Sequence, residues 1–201
     1  MPAPAPQRPT LAERRKAETR LDIARTAARL FAEHGTADVT AEQIAEASGI
    51  ALRTFYRYSR TKEDAVEPML TTGAQRWFEA IASGPRRLPT LADLEAAAVQ
   101  SLTIDGGEDF DLTRGLLQAM ETDPALRAVW HRINMEGERE LRRVLTELAG
   151  SDADILHLRL LAAVAAGSIR IALEQWAAAG DQGELPSSLV VRCIRVLGAG
   201  I

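Results

Sequence analysis

Residues 38–64, DVTAEQIAEASGIALRTFYRYSRTKED, constrain this chain more than any other segment. Thr40 followed by Gln43 is a capping pattern, and it opens a short helix over 41–48 carrying Ile44, Ala45 and Ala47. Ser48-Gly49 breaks that helix, because glycine turns the chain without steric penalty. Ile50 is expected to pack inward. Residues 51–58 form a second short helix, with Phe55 as its core anchor. Thr61 caps a further helix, and Pro68 should start its main segment late or kink it.

Two short helices about a tight turn suit docking on a DNA duplex, with the second helix lying in the major groove. The first must brace the second, and Ala45 and Ala47 are small enough to allow it. Arg53 and Thr54 stand near the start of the second helix. Arginine can span O6 and N7 of guanine, and threonine can meet a thymine methyl or a base edge. Tyr56, Arg57, Tyr58 and Lys62 supply hydroxyls and cations for phosphates, which fix register rather than sequence. The start of the 41–48 helix offers free backbone N–H groups to another phosphate. A plainer reading makes Tyr56 and Tyr58 partly buried aromatics. Arg14, Arg15 and Lys16 are equally a basic arm that adds electrostatic grip or a solvated helix face.

The formal net charge of −4 argues against a nucleic-acid partner, but its distribution does not. Residues 1–62 carry 11 Lys/Arg against 7 Asp/Glu, whereas residues 63–201 carry 13 against 21. Any phosphate-binding surface is thereby confined to the N-terminal third.

The remaining chain reads as helices. Residues 1–9 form a disordered Pro/Ala tail. Thr10 with Glu13 opens a helix running to His34 before Gly35, with Leu21, Ile23, Ala24, Ala27, Ala28, Leu30 and Phe31 at helical spacing. Later helices are expected from Thr90 to about Thr103, over 109–121 after Gly106-Gly107, and from Asp123-Pro124 to Leu148. Ser151 or Asp152 opens the next, which ends before Gly180, and Ser187–Leu197 is the last. The expected fold is all-α, with about nine helices and no convincing strand. A helix-turn-helix domain at 10–66 precedes a helical domain at 67–201.

Other classes find little support. Cys193 is the single cysteine, which rules out an internal disulfide and a cysteine zinc cage. The N-terminus lacks the apolar core of a signal peptide and no apolar run approaches a membrane span, so a soluble, cytoplasmic protein is expected. No nucleophile elbow or phosphate loop is present, so no catalytic residue and no enzyme activity is expected. His34, His131 and His157 are scattered, and Asp105, Glu108, Asp109 and Asp111 lack calcium-loop spacing. Neither a metal nor a cofactor is expected.

The words LDIARTAARLFAEHG, VTAEQIAEASGI, TFYRY and TKEDAV occur in this order over residues 18–66. Together they resemble the N-terminal domain of TetR-family (tetracycline-repressor-like) transcriptional regulators. The resemblance implies a homodimeric regulator bound to a palindromic operator and released by a small apolar or amphipathic effector held in the later helices. It places Thr40 and Ala41 at the phosphate-facing start of the first short helix, and Tyr56, Tyr58 and Lys62 at phosphate contacts. Ser59 departs from the family's usual Phe, and Leu52 stands where many members have a polar or basic residue.

Candidate effector residues are Trp77, Gln100, Phe110, Arg114, Met120, Trp130, His131 and Asn134, against the plainer reading of the apolar ones as core. The last two helices are expected to dimerise through Leu158, Leu161, Ala162, Ala165, Ala166, Ile169, Leu173 and Trp176, with Leu189, Val190, Ile194 and Leu197. ETDPALRAVW and ALEQW are similar to an actinobacterial branch of the family, some of whose members sense fatty acyl-CoA. Two alternatives stand beside this reading: a DNA-binding regulator controlled by a protein partner, and a helical enzyme or lipid-binding module.

Overall fold

The structure, a computed structural model, describes residues 10–102, 107–150, 153–180 and 183–198. Among them are nine α-helices and one 3-10 turn, and no strand. The chain divides into two compact units, Met1–Pro68 and Met69–Ile201. The Pro/Ala tail, Asp105, Gly106, Ser151 and Asp152 lie outside the described residues.

The first unit holds α1 (Leu11–His34), α2 (Ala41–Ala47), α3 (Leu52–Tyr58) and a 3-10 turn at Glu63–Val66. Local signals set each boundary. Thr10 and Glu13 form a reciprocal capping box, as do Thr40 and Gln43, and Gly35 closes α1 at φ 79°. Each box satisfies backbone donors that a helix start otherwise leaves open. Ile23, Ala24, Ala27, Ala28 and Phe31 of α1 are buried with Val39, Ile44, Ala45, Phe55, Ala65 and Val66. Ala47 is exposed, so Ala45 alone of the two expected bracing alanines faces the core. Residues 11–18 of α1 are exposed throughout.

Pro68 resolves simply. The segment after Thr61 makes one 3-10 turn, and α4 (Glu67–Ala82) then begins afresh with Pro68 in its first turn. A proline there loses no hydrogen bond, because first-turn N–H groups have no helical partner.

The second unit comprises the body of α4, then α5 (Leu91–Leu102), α6 (Glu108–Ala119), α7 (Pro124–Ala149), α8 (Ile155–Ala179) and α9 (Pro186–Gly198). Helix α8 packs against α6, α7 and α9, and α5 packs against α9. Trp77, Leu94, Leu126, Leu141, Leu145, Trp176 and Val190 are almost wholly enclosed. Arg195 of α9 grips Glu95 of α5 through two nitrogens, at 3.1 and 3.0 Å.

Three expectations about α8 need correction. Its cap is Asp154, two residues beyond Asp152, and the Asp154 carboxylate accepts from the Leu156 N–H at 2.9 Å. By length and composition it reaches the dimensions of a membrane span, although it packs as the central helix of its unit. The residues expected to meet a second copy mostly point into the unit: Leu158, Ala162, Ala165, Ile169 and Trp176 are buried, as are Leu189, Val190 and Ile194 of α9. The outward face instead carries Leu156, Leu160 and Ile171, which are 72%, 63% and 50% exposed. Helix α8 is apolar on both sides, so its periodicity does not tell inside from outside.

Candidate nucleic-acid interface

Helix α3 is oriented by one residue. Phe55 is fully buried, and its N–H and that of Thr54 bond to the Ala51 carbonyl at the helix start. At 100° per residue, Arg53 and Arg57 fall together on the side opposite Phe55, and both are exposed. Burying the phenyl ring contributes roughly 1.5–3 kcal/mol and aims the two guanidinium groups outward. Gly49, at φ 66°, supplies the left-handed turn that lets α3 follow α2.

The other expected contacts lie around this face. Tyr56 is 54% exposed, and its ring meets that of Phe55 edge-on at 5.5 Å. Tyr58 is half-buried under the Arg57 guanidinium, 5.9 Å from the ring centroid. Thr54 is half-buried. Thr40 is exposed, and its hydroxyl oxygen accepts from the Gln43 N–H at 3.2 Å, which leaves the hydroxyl proton to donate outward. The Ala41 side chain is buried, so any contact from that residue comes through its backbone.

Lys62 behaves differently from the other cations. Its ammonium donates to the Thr36 carbonyl at 2.6 Å and the Val39 carbonyl at 2.7 Å. Leu52, the first residue of α3, is half-buried. Ser59 is half-buried and extended, and its N–H closes α3 on the Phe55 carbonyl at 3.0 Å. Arg60, exposed just beyond α3, is a further cation on this stretch that the sequence reading passed over.

The eight effector candidates include two contacting pairs, Phe110 with Arg114 and Trp130 with Asn134. Trp77 is enclosed, with its indole nitrogen 3.4 Å from the Leu94 carbonyl. Gln100 is exposed and lines a depression of about 180 Å³ with Ile81, Arg87, Asp93 and Leu148. Phe110 and Arg114 of α6 stack with Trp176 of α8: the two rings are 4.3 Å apart, and the guanidinium lies 5.1 and 4.8 Å from them. Trp130 is buried, Asn134 donates to its carbonyl at 2.8 Å, Met120 is buried and His131 is exposed. A nearby strap that the sequence did not suggest runs from Gln118 to the Ala177 carbonyl at 2.8 Å.

Known proteins share this arrangement. The family described as bacterial regulatory proteins, tetR family, matches residues 23–67, which span most of α1, all of α2 and α3, and the 3-10 turn. The HTH-type transcriptional regulator TcmR of Streptomyces glaucescens is 29% identical over 177 residues, covering 85% of this chain and 78% of that protein. The fold is shared with transcriptional regulator FadR from Bacillus subtilis in complex with stearoyl-CoA, at TM-score 0.54, 21% identity and coverage of 90% and 98% of the two chains. It is also shared with NalD of Pseudomonas aeruginosa, the secondary repressor of a multidrug efflux pump, at TM-score 0.56, 18% identity and coverage of 93% and 97%. With its capped α2, glycine turn and outward-facing α3, the segment 23–67 is similar to the DNA-binding domain of the tetR family of bacterial regulatory proteins, and the chain as a whole resembles a transcriptional regulator.

Proposed function

We propose that this regulator is a homodimeric repressor that reads a palindromic operator with α3 and leaves it when a small apolar or amphipathic effector binds the second unit. The observation that carries the DNA half is the burial of Phe55, which turns Arg53 and Arg57 outward from one short helix. Arg53 and Thr54 read bases. Thr40, the Ala41 backbone, Tyr56, Arg57 and Tyr58 hold phosphates. A footprinting titration at moderate salt tests this; no preferred site would sink it.

Dimerisation is assigned to the outward face of α8 and α9. Leu156, Leu160 and Ile171 continue there into a depression of about 380 Å³ lined by Ala163, Val164, Gly167, Cys193 and Val196. Apolar side chains this exposed on one stripe favour a covering partner, and a twofold pair would present two copies of α3 to an operator.

Support for an acyl-CoA-like effector comes from FadR of Bacillus subtilis, whose structure holds stearoyl-CoA. An effector shifts DNA binding only through unequal affinity for the two states, whatever its chemistry. Native mass spectrometry of the purified protein would read the dimer mass and any retained ligand together. A second reading, control by a protein partner with no small molecule, draws on the burial of Trp77, Met120 and Trp130 as core. The chain is assigned no catalysis and works in the cytoplasm, where its operator is.

A further inference from the structure

Lys62 stands at the expected position of a phosphate contact, yet its ammonium is turned into the protein. Two of its three protons are directed at the Thr36 and Val39 carbonyls, at 2.6 and 2.7 Å, and the Ala37 carbonyl is 3.5 Å away. The side chain is only 24% exposed, while Arg53, Arg57 and Arg60 are exposed. Thr36 and Val39 are themselves buried, although Gly35, Ala37 and Asp38 around them are exposed, so the two carbonyls it satisfies are partly shielded from water.

The position of these carbonyls matters more than their number. Residues 35–39 carry the chain from the end of α1 to the cap of α2, and Val39 directly precedes Thr40. Lys62 lies beyond the end of α3, so its bond to Val39 joins points 23 residues apart. The bond closes a ring that contains α2, the Gly49 turn and α3. A charge-assisted bond is stronger than a neutral one, and here it bridges the entrance and exit of the DNA-reading pair.

We infer that Lys62 is a positioning residue: it fixes the α2–α3 pair for DNA by clamping the 36–39 turn, and it does not contact a phosphate. The inference rests on the DNA-binding reading above and assigns Lys62 another part in it.

The test compares wild type with Lys62→Met on the duplex that wild type selects from a random-sequence pool. Binding is measured across a salt series, well below the melting temperature of both proteins, with folding verified by circular dichroism. The expected result is at least a tenfold loss of affinity with an unchanged slope of log K against log salt. A slope smaller by about 0.9 marks a lost phosphate contact and overturns the inference. Unchanged affinity of the folded variant also overturns it, since the lysine is then only stabilising.

Amide exchange in the free protein supplies a readout without DNA. The Ile44 N–H, bonded to the Thr40 carbonyl at 3.2 Å, should exchange at least tenfold faster in the variant. Unchanged exchange overturns the clamp. A wild type that selects no duplex sinks the DNA reading instead, and exchange then decides the clamp alone. If Lys62→Met does not fold, Lys62→Arg replaces it. That variant keeps the charge but not the compact ammonium, so a clamp loses affinity and a phosphate contact keeps it.

Discussion

The Trp130 indole donates to the Glu174 carboxylate at 2.8 Å, joining α7 to α8 in the second unit. Arg170, one helical turn before Glu174, holds the other carboxylate oxygen at 3.0 Å. Glu174 therefore serves an enclosed donor and a half-exposed cation at once. Glu174→Ala should lower thermal stability by about 1 kcal/mol, because it leaves the indole N–H without its acceptor. Glu174→Gln should recover part of the loss. Calorimetric melting of the three proteins checks the order.

Arg53 and Tyr56 should separate base reading from phosphate holding. Arg53→Ala should cost about 1–3 kcal/mol and relax preference at one operator position. Tyr56→Phe removes one hydroxyl and should weaken all sequences alike, by about 0.5–1.5 kcal/mol. Affinities measured on a set of singly substituted duplexes test this division. Identical profiles for the two variants would show that it is wrong.

Gly49 isolates a backbone effect. An added Cβ would meet nothing within 4 Å, so the cost of Gly49→Ala comes from φ 66° alone. That cost should be about 1–2 kcal/mol, with a smaller loss for Gly49→Asn, because asparagine tolerates the left-handed region. Denaturant unfolding followed on the first unit reads both.

Asp93 gives an acid-range signature. Its hydrogen bond from Arg87, followed by those from Thr90, holds the carboxyl well below the usual carboxylate range. A depressed folded pKa stabilises above the unfolded value near about 3.9 and loses that stability as pH falls through the folded value. Wild type should therefore melt higher than Asp93→Asn near neutrality. The two melting curves should converge as pH falls below the ordinary carboxylate range.

The outward face of α8 predicts assembly. Leu160→Glu or Ile171→Glu should yield a monomer by sedimentation velocity and weaken operator binding, while each variant stays folded. A dimer that survives both substitutions would move the interface elsewhere.

What the sequence revealed follows the range of each interaction. The boxes at Thr10/Glu13 and Thr40/Gln43 were legible because donor and acceptor lie three residues apart. Phe55 was legible as an anchor because it stands at i+4 from Ala51, one helical turn on. The carbonyl bonds of Lys62 were not legible, because its partners lie 23 and 26 residues back, across two helices. Helix α8 misled for another reason: with leucines and alanines on every side, only its packing against α6, α7 and α9 tells which face is inside. The effector candidates were picked by residue type, which says nothing of whether side chains from four helices share one cavity.

The aromatic residues are divided between the units in a way that gives each its own optical signal. The chain has 3 tryptophans and 2 tyrosines. Trp77, Trp130 and Trp176 all belong to the second unit, and Tyr56 and Tyr58 both lie on α3. Indole emission thus reports only on the helices proposed to sense an effector, and Trp176 among them lies 4.8 Å from the Arg114 guanidinium. Phenol absorbance reports only on the helix proposed to meet DNA. Without any label, a change in indole emission therefore isolates the second unit from the first.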